Sequence, residues 1–152
     1  VSGLTWLPDQ PYFKGSWGYI EGKARSTTSE IENTTDGPLY QTWRENLRAY
    51  QIDAPSGTYE VELLMADVSR SRPQLANLLG RGDDGQAIAD SRFNITICGR
   101  RMETDFSPAD GGHYRQAFRR RYIIQNKENK IDVLFETLKG KCHLAGIKIR
   151  KL

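Results

Sequence analysis

The chain has 152 residues and a net charge of +3, from 22 Lys and Arg against 19 Asp and Glu. That length makes one domain with a sizeable core. The mild, interspersed charge excludes the basic stripe of a dedicated nucleic-acid binder, no apolar run nears the ~20 residues needed to span a membrane, and two cysteines make no disulfide framework.

In chain order, Leu4 to Leu7 is a short extended start closed by Pro8-Asp9. Residues 10–38 hold no lasting period of 2 or 3.6 and read mostly as loop, with aromatics that suggest packing. The stretch Leu39 to Asp67 is the organising element. In it Tyr50 and Ile52 alternate with Gln51 and Asp53, and Tyr59, Val61, Leu63 and Met65 alternate with Glu60 and Glu62. A period of two places each apolar set on one face of a strand. Between them Ala54-Pro55-Ser56-Gly57 reverses the chain, so these two runs are expected to pair as an antiparallel hairpin. Residues 69–90 read as a second long loop, with one or two helical turns at Gln74 to Leu79. Further strands are expected at Arg92 to Cys98, near Met102, at Gln116 to Ile124, Lys130 to Glu136 and Gly146 to Arg150. The count is seven to nine strands and no long helix, which indicates a β-sandwich or barrel. Inward positions should include Val61, Leu63, Phe93, Ile95, Val133, Phe135, Ile147 and Ile149, with Tyr59 on the side of Val61. The opening Val-Ser-Gly reads as a piece cut from a longer protein.

Few constellations carry chemistry. Asp67, Asp83, Asp84 and Asp90 lie in or beside the long loop and fit solvated turn acids better than a glycosidase pair. Asp83-Asp84-Gly85 lacks calcium-loop spacing and no zinc spacing is present, so neither metal nor cofactor is expected. Cys142 and His143 are sequence neighbours, which point apart on a strand and make no dyad. Both Cys98 and Cys142 are expected to be free thiols. Arg119-Arg120-Arg121 alternates faces on a strand, so it forms no single patch of three. What remains is aromatic: Tyr12, Phe13, Trp17, Tyr19, Tyr40 and Trp43, with Arg44 and Glu45 beside them. Flat rings with a few fixed polar partners suit the apolar C–H face of a sugar. Core packing is the competing explanation.

The residues Leu39-Tyr40-Gln41-Thr42-x-Arg44, followed by a Tyr-x-Ile strand, a Pro-x-Gly turn and Tyr-x-Val-x-Leu-x-x-Ala-Asp, resemble malectin and the malectin-like carbohydrate-binding modules. Arg92-Phe93-Asn94-Ile95-Thr96-Ile97-Cys98-Gly99 and the ending Leu144 to Lys151 are similar to later strands of that family. The opening Trp6 to Tyr12, then Gly15-Ser16-Trp17-Gly18-Tyr19, resembles bacterial versions attached to the C-terminal end of glycoside hydrolases, β-galactosidase-like enzymes among them. The resemblance implies an all-β fold, a jelly-roll-type antiparallel β-sandwich (galactose-binding-like) with long loops at one end, forming a single domain over 1–152. It implies a non-catalytic module that attaches a parent hydrolase to glycan, and a periplasmic or extracellular location. The alternative is a structural accessory domain that packs on the catalytic domain and binds no sugar. Of the family's sugar-contacting positions, one aromatic is retained near Trp17, and the others fall on Glu45, Ser69, Arg70 and Lys139. The expected site is therefore a rebuilt one. Trp17 would stack on a galactoside or glucoside, with Trp43 or Tyr19 as a second wall, Arg44 and Arg70 as donors and Asp67 as acceptor. The expected partners are that glycan and the parent catalytic domain, with no nucleic acid and no membrane.

Overall fold

The computed structural model describes residues 5–28, 30–66, 91–108 and 117–152. Eleven strands and one helical turn lie within them. They are β1 (Trp17–Ile20), β2 (Lys23–Ser26), α1 (Gly37–Tyr40), β3 (Thr42–Glu45), β4 (Ala49–Asp53), β5 (Gly57–Ala66), β6 (Arg92–Ile97), β7 (Arg100–Phe106), β8 (Ala117–Asn126), β9 (Lys130–Lys139), β10 (His143–Leu144) and β11 (Gly146–Lys151). A five-stranded sheet runs β1-β4-β9-β6-β7. A three-stranded sheet runs β11-β5-β8, and a small third sheet runs β10-β3-β2. All neighbours in the sheets are antiparallel. This is the expected β-sandwich.

The core lies between the first two sheets because each strand's alternate apolar residues face inward. Phe93, Ile95, Ile131 and Val133 from the five-stranded sheet meet Val61, Leu63 and Met65 from the other, and all seven are completely shielded from solvent. Phe135 and Tyr59 are buried with them. Ile147 and Ile149 face the core as expected but stay half-buried, since β11 is an edge strand. The β6 alternation leaves Asn94 on the outer face. There its carboxamide donates to Glu136 (3.2 Å) and accepts from the Asp105 N–H (2.9 Å), which steadies a register shift in the β6–β7 pairing. Cys98 and Cys142 are both free thiols.

The organising hairpin is not a hairpin. β4 pairs with β1 and β9, whereas β5 pairs with β11 and β8, so the turn at Ala54–Gly57 carries the chain from one sheet to the other. The two strands face each other across the core instead of sharing a ladder. The arch is satisfied by the β8–β9 turn. Asn126 donates to the carbonyls of Ala54 and Pro55 (3.0 and 3.2 Å), and Asn129 accepts from the Ser56 N–H (3.0 Å). Tyr59 also donates to the Pro55 carbonyl (2.7 Å). A period of two identifies a buried face, but it says nothing about which strand supplies the ladder.

Residues 10–38 also hold more than loop: β1, β2 and α1 form there. Their strands are four residues each and β2 is exposed throughout, so no alternation marked them. The motif residue Tyr40 is buried on the outer face of β5. It belongs to a second, smaller core with Ile31, Leu64, Ala66 and Ala117. Its hydroxyl accepts from Arg119 Nε (3.3 Å), and burial pushes its ionisation above the usual phenol range, partly offset by that arginine.

Candidate binding cleft

One flank of the sandwich opens into a cleft of about 730 Å³. It lies between the edge strands β1 and β11, with β2 and β3 at one side and Thr5–Asp9 across its mouth. Local sequence explains the geometry. Gly18 has no side chain, and a Cβ there would stand 2.4 Å from the Gln10 carbonyl oxygen. The segment Gln10–Tyr12 can therefore lie flat along β1. The Tyr12 N–H donates to the Tyr19 carbonyl (3.0 Å), and the Tyr19 N–H donates to that of Gln10 (2.9 Å). This covers the β1 edge and leads residues 5–9 over the gap.

In the β1–β4 register Trp17 stands opposite Ile52 and Tyr19 opposite Tyr50, so all four side chains point inward. The Trp17 ring stacks on Tyr50 with centroids 6.4 Å apart and planes 18° from parallel. On β3, Trp43 stands opposite Arg25 of β2, and both line the cleft. The Trp43 indole N–H is buried, and among the described residues no acceptor reaches it; the same holds for Trp6. The inner walls are apolar, with Ile52 and Tyr50 on one side and Ile147 and Ile149 on the other.

The polar rim is built on Asp9. Arg44 Nε donates to Asp9 Oδ2 (2.7 Å), and the Tyr50 hydroxyl donates to Oδ1 (3.3 Å). Arg44 also donates to the Gly22 carbonyl (2.9 Å) and lies 3.4 Å over the Tyr19 ring, a close cation–π contact. Burial, with the Asp9 carboxylate nearby, raises the Tyr50 hydroxyl well above the usual phenol range. Close by, Glu45 is buried and takes Arg25 Nε at 2.8 Å and Lys141 Nζ at 3.5 Å.

The structure thus brings together Trp17, Trp43 and Arg44 on the cleft. Tyr19 lies beneath the Arg44 guanidinium and is not among the lining residues. Arg44 acts first as a clamp on Asp9 and Gly22. Asp67 and Arg70, with the helical turns expected at 74–79 and the acids of the long loop, lie outside the described residues. Sequence reasoning missed Asp9, Trp6 and Arg25. Trp6 and Asp9 sit in a stretch without periodicity, and Arg25 in a fully exposed four-residue strand. The packing expected from aromatics was placed on residues 10–38, just after Trp6 and Asp9.

A β-sandwich whose open flank carries an aromatic-walled cleft with a polar rim is the architecture of a binding domain. The Malectin domain family model matches residues 1–149, and the chain belongs to that family. Malectin domains are non-catalytic carbohydrate-binding modules. Among solved structures, the chain is similar to a Bacteroides uniformis beta-glucuronidase at 43% identity and a TM-score of 0.84, with 99% of this chain and 16% of that one covered. It is also similar to the plant receptor-like kinase FER, at 14% identity and 0.65 over 88% of this chain and 34% of that one. The ANXUR1 extracellular domain from Arabidopsis thaliana matches at 17% and 0.64, over 86% of this chain and 39% of that one. The plant likenesses show the fold alone. The chain spans 16% of the length of the glucuronidase it matches. No curated protein sequence matches the chain.

Proposed function

We propose that this domain binds glycan in the β1–β11 cleft and so attaches a parent glycoside hydrolase to its substrate. The observation that carries the reading is the pairing of Trp17 and Trp43 on one cleft, beside the fixed carboxylate of Asp9. An aromatic wall takes the C–H face of a sugar ring, and Asp9 with the Arg25 head group offers hydrogen bonds to hydroxyls. Asp67 and Arg70 follow β5 directly in sequence and are further proposed contacts. The likeness to a domain of a beta-glucuronidase favours a parent acting on β-glucuronides over a β-galactosidase. Work on extracellular or periplasmic glycan accords with this reading.

One observation favours the rival, a buttress that binds no sugar: beside its aromatic rings the cleft presents Ile52, Leu144, Ile147 and Ile149, and Leu7 at the mouth is 66% exposed. Calorimetric titration with glucuronides, glucosides and galactosides separates the two. Glycan binding predicts a measurable enthalpy with at least one class, and Trp17→Ala should remove about 1–2 kcal/mol of it, the scale of one aromatic contact. A silent panel with an intact fold leaves the buttress.

A further inference from the structure

The outer face of the β11-β5-β8 sheet carries a second feature, which adjoins the cleft at Lys148 and at Trp6 packed on the Leu64 cluster. Lys148, Glu62 and Arg121 stand side by side across the three strands, and Arg150 and Glu60 form the next rung on the same face. Arg119 lies one rung before Arg121. The two carboxylates are sunk and the arginines are not. The Glu62 side chain is 3% exposed against 49% for Arg119, and Glu60 is 14% exposed against 61% for Arg150.

The contacts explain why the heads stand up. Arg119 reaches Glu62 at 3.1 Å and Arg150 reaches Glu60 at 3.1 Å. Arg121 lies between the two, 3.6 Å from Glu60 and 3.9 Å from Glu62. A guanidinium carries five N–H donors, so a carboxylate floor on one side leaves each fork with donors for another acceptor. The floor also fixes the planes of forks that would otherwise be mobile. Four cations against two sunken anions make this face net positive. With strands about 4.8 Å apart, the rows on β8 and β11 are about 10 Å apart, and neighbours along a row about 7 Å.

We propose that this flat face binds the carboxylates of an acidic glycan, with Arg121 and Arg150 as the principal donors. The proposal rests on the glycan-binding reading above and adds a second site to it: the cleft takes sugar faces and the sheet takes uronate charges. A nucleic acid fits less well, because Glu60 and Glu62 within the patch repel a dense row of phosphates, whereas uronates are spaced further apart along their chain.

The test titrates the 152-residue chain with hyaluronan, whose alternate sugars are glucuronates, and with neutral dextran and duplex DNA as comparators. Hyaluronan should bind at low salt and weaken as salt rises, and dextran should not engage this face. Arg121→Gln and Arg150→Gln should each weaken hyaluronan about tenfold, the scale of one charge-assisted hydrogen bond. Each leaves both carboxylates at least one arginine, so the melting temperature should hold. Arg48→Gln removes an equal charge elsewhere and should change little. Absence of hyaluronan binding at low salt overturns the proposal. So does wild-type affinity in both arginine variants, or DNA binding as tight as hyaluronan. A loss in Trp17→Ala with the arginine variants unaffected would place the acidic ligand in the cleft, sinking this site while sparing the cleft reading. Neutral-sugar binding that ignores Trp17→Ala does the reverse.

Discussion

The two flanks of the sandwich use the same chemistry and reach opposite results. Each has an arginine, a carboxylate and a tyrosine packed against the core, buried for Tyr50 and partly buried for Tyr122. On the β7/β8 flank, Glu103 sits on β7 and Arg120 and Tyr122 on β8. Tyr122 donates to Glu103 at 2.9 Å and Arg120 lies 3.7 Å from it, so the triad joins the two sheets. Arg120 also covers the Phe106 and Phe118 rings, at 5.3 and 5.8 Å. On the β1/β11 flank the trio is Asp9, Arg44 and Tyr50, and none of the three comes from β11. It ties the N-terminal segment to β3 and β4 and leaves the gap between the sheets open. Whether a flank is core or site depends on which sheet holds each partner, not on which residues are present.

The largest expected effect breaks the closed flank. Phe106 is buried between Phe93 and Phe118. Phe106→Ala should cost about 3–5 kcal/mol in urea unfolding. The matching change on the open flank is Trp17→Ala. Trp17 is half-buried and keeps one ring partner, so stability should fall by only about 1–2 kcal/mol, while glycan binding falls as stated above. A loss as large as that of Phe106→Ala would make Trp17 core and close the cleft as a candidate.

Alkaline pH sharpens the comparison next. Burial, and then the Glu103 hydrogen bond and charge, raise the Tyr122 hydroxyl far above its ordinary 10.0. Burial first, with Asp9, does the same for Tyr50. A raised folded pKa means that the folded state holds its proton more tightly. The stability it confers is complete below pH 10 and is lost as the pH climbs from there toward the folded value. Thermal melts from pH 9 to 11 should therefore fall, and less steeply in Tyr122→Phe and Tyr50→Phe. Equal slopes in all three proteins would contradict the assignment. The smallest effect belongs to Asp9→Asn. The Arg44–Asp9 pair is partly exposed, with side chains 13% and 39% accessible, so stability should change by less than about 1 kcal/mol. Proteolysis near residues 5–9 should nevertheless speed up, because the latch of that segment is loosened. An unchanged cleavage pattern would show that the Gln10–Tyr12 ladder alone holds it.

Much of this molecule was legible from period and turn chemistry. Alternation at Tyr59 to Met65, at Phe93 to Ile97 and at Ile131 to Phe135 marks inward faces that are buried in the fold. The motif through Tyr40 and Arg44 led to the family. The candidate site was legible in part: Trp17, Trp43 and Arg44 were singled out as surplus aromatics and their polar neighbour, but Asp9 and Arg25 stand in stretches with no pattern.

What the sequence by itself determined is which residues must leave water, since that depends only on side-chain chemistry and a strand's period of two. Which strands share a ladder was decided by the tertiary structure alone. Tyr50 and Tyr59 lie in runs that look like the arms of one hairpin, yet the Ala54–Gly57 arch sends them to opposite sheets. Hydrogen bonds between backbones are blind to side-chain identity, so pairing follows from how the arch and the Asn126 and Asn129 side chains satisfy the turn. The same holds for the cleft. Trp17 points inward by its place in β1, but it meets the cleft because β11 presents the aliphatic Ile147 and Ile149 there, whereas β8 on the other flank presents Arg120 and Tyr122, which reach Glu103 of the facing sheet.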